Sequence, residues 1–210
     1  MSLPPKIYDE NGRASFGGSQ MWLPDPMLLN SGCGIIAGLD AITRLKGEES
    51  MTRKEYFERF FEAKDYIRPI TVGKKREPRK VFGREFLGSL GVSAGRFRRG
   101  IKKLAVKEGL KIRIKPFLFK WWEKIPEYLK DGDPLVMLFV SPFKKITVEY
   151  PDGWKTMCDY HWVTVTEMDG DDLWVSSWGE RCRMSVKELK RFGVILRFYS
   201  VSLEKQSDIV

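Results

Sequence analysis

With 210 residues, 42% of them hydrophobic and 31% charged, the chain has the size and composition of one folded domain or two closely packed lobes, which excludes a disordered, collagen-like or repeat-array protein. Its longest apolar runs, such as Leu135 to Val140, stop far short of the roughly 18 to 20 residues of a membrane span, so a soluble protein is expected. The net charge of +9 is unevenly spread: Lys74 to Lys115 holds 15 basic residues against 3 acidic ones, so the remainder of the chain is net acidic. Such a run reads first as a solvated helical face and second as a surface for an acidic protein; nucleic acid is disfavoured because the aromatic residues beside the charges read as core.

Residues 1–30 carry Pro4, Pro5, Gly17, Gly18, Pro24 and Pro26 without sustained periodicity and predict an extended lead-in. The first ten residues lack the apolar segment and small-residue cleavage site of a secretory signal, which predicts a cytoplasmic protein. A mainly helical region is expected over 31–109. Its first helix opens at Cys33 and buries Ile35, Leu39 and Ile42; a second follows the Thr52/Glu55 capping box; a third is capped by Ser93 and ended by Gly109, with Phe97, Ile101, Leu104 and Ala105 on one face and arginines and lysines on the rest.

A mainly antiparallel sheet region is expected over 110–203. Leu110, Ile112 and Ile114 alternate with basic residues as a half-buried strand does, a short helix spans Trp121 to Lys130, and Leu135 to Val140 reads as a central strand covered on both faces. Further strands are predicted around 146–150, 161–168 and 173–177, then a capped helix from Ser185 to Arg191, a last strand over 193–201 and a tail over 204–210. Helices first and strands second give an α+β fold rather than an alternating parallel one.

No phosphate-binding loop, metalloprotease helix, serine-hydrolase elbow or paired zinc-ligand spacing occurs. Cys33, Cys158 and Cys182 are too few for a disulfide scaffold and read as free thiols. Of these, Cys33 stands in Ser31-Gly32-Cys33-Gly34 at a predicted helix start, where unpaired backbone N–H groups and the helix dipole favour a thiolate nucleophile. His161, the only histidine, opens an alternating strand and is the only imidazole base the chain can offer. Cys158 and His161 could form half of a metal site, but no second half is present, and no cofactor is expected.

These segments, together with Gly132-Asp-Pro-Leu-Val-Met-Leu and Ser176-Ser177-Trp178-Gly179, resemble the papain-like cysteine peptidases over about residues 20 to 200. The flavour is that of the bacterial double-glycine, bacteriocin-processing branch, because glycines flank the cysteine. The 128 residues from Cys33 to His161 lie close to the roughly 130 to 150 of papain-type enzymes. The resemblance implies one papain-like domain, a helical lobe against a sheet lobe with a cleft between them. It places Cys33 as nucleophile, His161 as base and then acid, Ser176 where the family has an Asn or Asp that orients the imidazole, and Trp178 as a cleft wall shielding the histidine. The family's oxyanion glutamine falls at Met27 here; Gln20 and Asn30 are the alternatives. A thiol-dependent hydrolase of peptide or isopeptide bonds is therefore expected, with a peptide or protein substrate. Ser176 and the displaced glutamine keep open a weak or inactive relative that binds an acidic partner through 74–115.

Overall fold

The computed structural model describes residues 3–71, 78–81, 84–87, 89–192 and 195–204. Lys74, Lys75 and Arg76 of the basic run, Gly193 at the expected start of the last strand and residues 205–210 of the tail lie outside them. The architecture is α+β. Its elements run β1 (Lys6–Tyr8), β2 (Ala14–Phe16), a single 3-10 turn (Gln20–Trp22), α1 (Pro26–Ser31), α2 (Cys33–Leu45), β3 (Ser50–Thr52), α3 (Arg53–Tyr66), β4 (Pro78–Val81), β5 (Arg84–Leu87), α4 (Ala94–Lys107), β6 (Ile112–Phe117), α5 (Trp121–Lys130), β7 (Leu135–Val140), β8 (Ile146–Glu149), β9 (Lys155–Cys158), β10 (Tyr160–Asp169), β11 (Asp172–Ser177), β12 (Glu180–Ser185), α6 (Val186–Phe192) and β13 (Ile195–Leu203).

The predicted lead-in is more structured than a bare extended segment. β1 pairs antiparallel with β2 and parallel with β3, whose partners lie more than 40 residues away, as in Lys6 with Ser50. Three-residue strands have no period to read, so only the tertiary pairing reveals them. The main sheet has eight antiparallel strands in the order β6-β13-β7-β10-β11-β12-β8-β9. Among the described residues no helix is long and apolar enough to cross a membrane.

Alternation along the central strands divides the core between the two faces of this sheet. Val136 and Leu138 of β7, Trp162 of β10 and Tyr199 of β13 face α2 and α4, where Ile35, Leu39, Phe97 and Ile101 fill the space. Leu135, Met137, Phe139, Val163, Val165 and Phe198 point the other way, against Trp121 and Ile125 of α5 and Leu189 of α6. The sheet is therefore sandwiched between helices, and β7 is buried on both sides as its unbroken apolar run predicts.

Every residue from Cys33 to Thr43 in α2 is buried. A helix enclosed all round needs small side chains where neighbours come closest. A Cβ on Gly34 would lie 2.8 Å from the Val92 side chain and 3.0 Å from the Trp162 ring, so this glycine brings the N-terminus of α2 down onto β10. The Thr52/Glu55 capping box starts α3, and Ser93 caps α4 by accepting from Arg96 N–H.

Candidate active site

The N-terminus of α2 and the first residues of β10 meet over a small cavity lined by Cys33, Ala37 and Asp40 of α2, by His161 and Thr164 of β10, and by Ser176, Ser177 and Trp178. Cys33 and His161 are buried, at 6% and 4% exposure. Alternation turns His161 toward the Val163 side of β10, and the cysteine sulfur lies against the backbone amide of Trp162, the very next residue. Both residues line this one cavity, although the chain separates them by 128 positions.

The imidazole is held on two sides. Its Nε2 lies 2.7 Å from Ser177 Oγ, and its ring stacks on Trp178 with centroids 4.5 Å apart and planes 16° from parallel. The hydroxyl at the ring nitrogen therefore belongs to Ser177 and not to Ser176. Register explains the shift: Thr164 pairs with Ser176, so Ser176 shares the helix-facing side with Thr164, while Ser177 stands on the face that carries His161. Ser176 Oγ donates instead to Phe16 O at 2.7 Å.

Trp178 lies over the His161 ring at a conformational cost. Trp178 and Gly179 form the two-residue turn between β11 and β12 with φ of 52° and 82°. Left-handed backbone suits Asn-Gly in such turns and costs a bulky residue about 1 to 3 kcal/mol. The stack on His161, together with a second stack on Tyr150 at 5.8 Å, is the compensating contact.

Gln20 and Asn30 part company. Gln20 lines the cavity, and its buried Oε1 has no hydrogen-bond partner. Asn30 is exposed, and its Nδ2 donates to Pro26 O at 2.9 Å within α1, so its amide is spent on its own helix and it does not line the cavity. Two lining residues gave weaker sequence signals. Asp40 is the one carboxyl in a mainly apolar helix, two turns beyond Cys33 on the same face; Thr164 is a strand residue whose Oγ1 is buried without a partner.

Burial, more than any partner, sets the protonation states. It pushes the Cys33 thiol up to about 11, against the backbone amides of Trp162, Gly34 and Cys33 itself, which favour the thiolate. It pulls His161 down to about 3. The pair therefore rests as thiol and neutral imidazole, and not as the thiolate that a helix start predicts; the amides are present, but desolvation outweighs them. Burial also lifts the Asp40 carboxyl to about 7, opposed by hydrogen bonds from Tyr56 and the Gly18 amide.

These shifts have opposite consequences for stability. Below pH 6.5 the unfolded chain takes a proton at His161 that the folded chain refuses until about pH 3, so stability is lost as the pH falls through that window. Asp40 and Cys33 run the other way: their stabilisation fades as the pH rises from 3.8 to about 7 and from 9.0 to about 11. Comparison with His161→Gln isolates the histidine. Below pH 6.5 the parent should lose stability relative to this variant by about 1.4 kcal/mol per pH unit in urea unfolding; parallel curves would place the imidazole in water.

The fold is like that of a solved structure from Bacillus anthracis described as a C39-like peptidase, with a TM-score of 0.50 and 15% sequence identity over 87% of this chain and 92% of that one. At that identity the likeness is one of fold. No protein-family model and no curated protein matches the sequence.

Proposed function

We propose that the chain is a thiol-dependent hydrolase that cleaves a peptide or isopeptide bond through Cys33 and His161. The observation that carries this reading is the shared cavity: the sulfur lies beside the residue that follows His161, and Ser177 engages Nε2 and leaves Nδ1 as the nitrogen to serve the thiol. As Sγ adds to the scissile carbonyl, Nδ1 accepts the thiol proton and the carbonyl electron pair moves onto oxygen. The Cys33 backbone N–H and the Gln20 side-chain amide donate to that oxyanion. On collapse the imidazolium returns the proton to the leaving nitrogen, and the C–N bond breaks to leave a thioester on Cys33. Water, deprotonated by the same imidazole, then releases the acid and restores the thiol. Ser177 holds the ring in one orientation and Trp178 keeps bulk water from it.

The resting pair is neutral, so the ring is free to accept a proton and substrate displaces no ion pair. The same burial weakens the ring as a base and the thiol as an acid, so the transfer depends on the amides of Trp162, Gly34 and Cys33 that favour the thiolate. A mixed peptide library incubated with the protein and read by mass spectrometry should yield products that are absent with Cys33→Ala. Products that appear equally with both proteins, or with neither, would overturn the reading.

The outer face of α4 favours a second reading. Arg98, Arg99, Lys102 and Lys103 are exposed there, and among the described residues no acidic side chain pairs with them. An acidic protein is the partner such a face fits. Reversing these four charges should abolish salt-sensitive retention on immobilised polyglutamate and leave peptide cleavage intact; unchanged retention would remove this reading.

A further inference from the structure

The segment that delivers Gln20 to the cavity is fastened in a way the hydrolase reading does not use. Phe16, Gly17 and Gly18 run between α2 and β11. Gly18 N–H donates to Asp40 Oδ2 at 3.2 Å, and Tyr56 Oη donates to the other carboxyl oxygen at 2.7 Å. On the opposite side Ser176 Oγ donates to Phe16 O at 2.7 Å, and Phe16 N–H donates to Gly179 O at 2.6 Å. The fit leaves no room for a side chain: a Cβ on Gly17 would stand 2.6 Å from both Asp40 Oδ2 and Ser176 Oγ, and one on Gly18 would stand 2.1 Å from Tyr56 Oη.

At the next residue Ser19 Oγ accepts from Met21 N–H and starts the turn that carries Gln20. The side-chain oxygen of Gln20 has no hydrogen-bond partner, so the backbone of the strap and the turn anchors this residue. That backbone is referenced to both halves of the site. Asp40 shares a helix face with Cys33, and Ser176 adjoins Ser177, which holds His161. A carboxylate inside an apolar helix costs stability unless its oxygens are bonded, and here they are bonded to the strap and to the tyrosine that walls it.

We propose that Asp40 is a positioning residue: with Tyr56 and Ser176 it clamps the strap 16–18 and so aims Gln20 at the oxygen of a carbonyl attacked by Cys33. This rests on reading Gln20 as an oxyanion donor, and the test separates the two. Acetylation of Cys33 by p-nitrophenyl acetate passes through an oxyanion, whereas alkylation by iodoacetamide does not, so the ratio of the two rates at Cys33, followed by peptide mass, reports the donor alone.

Asp40→Ala should lower that ratio about tenfold, part of the loss of about 100-fold or more expected for removing a donor outright. Asp40→Asn should restore it, because its carbonyl can accept from Gly18 while its amide donates to a Tyr56 hydroxyl turned acceptor. In a Gln20→Ala background Asp40→Ala should add nothing, the signature of two residues acting through one contact. An unchanged ratio in Asp40→Ala, an undiminished effect in the Gln20→Ala background, or no rescue by Asp40→Asn would overturn the proposal. Should Asp40→Ala fail to fold, Ser176→Ala cuts the clamp on its other side; a lowered ratio supports the proposal and a parental one overturns it. A Gln20→Ala protein with the parental ratio would remove the donor role itself, and the positioning role with it, while leaving Cys33 and His161 to be judged on peptide cleavage.

Discussion

His161→Ala should slow acetylation of Cys33 by p-nitrophenyl acetate by about 10² to 10⁴-fold, the range that a positioned general base contributes. The basis is chemical as much as geometric. With its thiol pushed up to about 11 by burial, Cys33 holds almost no thiolate at neutral pH, so its nucleophilicity depends on proton transfer to the ring as the new bond forms. The pH profile follows from the same burial. A ring held down to about 3 stays neutral through the range where an ordinary histidine becomes charged, so the acetylation rate should remain level as the pH drops through 6.5 and decline only well below it. A profile that halves near 6.5 would show a water-exposed imidazole, and a rate unaffected by His161→Ala would remove the base from the chemistry.

Phe97→Ala should lower the unfolding free energy by about 3 to 5 kcal/mol, the cost of emptying a fully buried aromatic site. Phe97 is the link between the basic helix and the sheet. Its ring stacks on Trp162 at 4.2 Å and approaches Tyr199 at 5.7 Å, with no exposed surface. Trp162 is also fixed through its indole N–H, which donates to Val92 O at 2.7 Å, and its backbone amide lies at the Cys33 sulfur. Part of the support for the nucleophile thus runs from α4 through this aromatic stack. Urea unfolding should show a lower midpoint with an unchanged slope; a loss under about 1 kcal/mol would mean that α4 contributes little to the packing behind β10.

Much of this was legible because it depends on local pattern. The capping box at Thr52, the alternation in β6, the amphipathic face of α4 and the helix start at Cys33 each follow from residues within one or two turns of each other, and the structure has all four. What escaped depends on distant pairing. Nothing near Ser176 says that it will lie across from Thr164, yet that register decides which of two adjacent serines meets the imidazole. Of the three-residue strands in the lead-in, β1 also pairs with β3, more than 40 residues along the chain. The protonation of Cys33 depends on the fold for a related reason: a helix start can be read from sequence, but whether it lies in water or beneath a tryptophan cannot. Asp40 did leave a trace, as the single carboxyl in an apolar helix, although its partners Gly18 and Tyr56 could be known only from the fold.

The central claim is that Cys33 and His161 work as one nucleophile and base, and the most direct test is to find where an acyl group lands. A brief exposure to p-nitrophenyl acetate near neutral pH, followed by peptide mapping, should place one acetyl group on Cys33 ahead of Cys158 and Cys182, although Cys158 is the more exposed thiol, and that label should vanish in His161→Ala. Acetylation of Cys158 as fast as Cys33, or labelling of Cys33 that persists without the histidine, would contradict it.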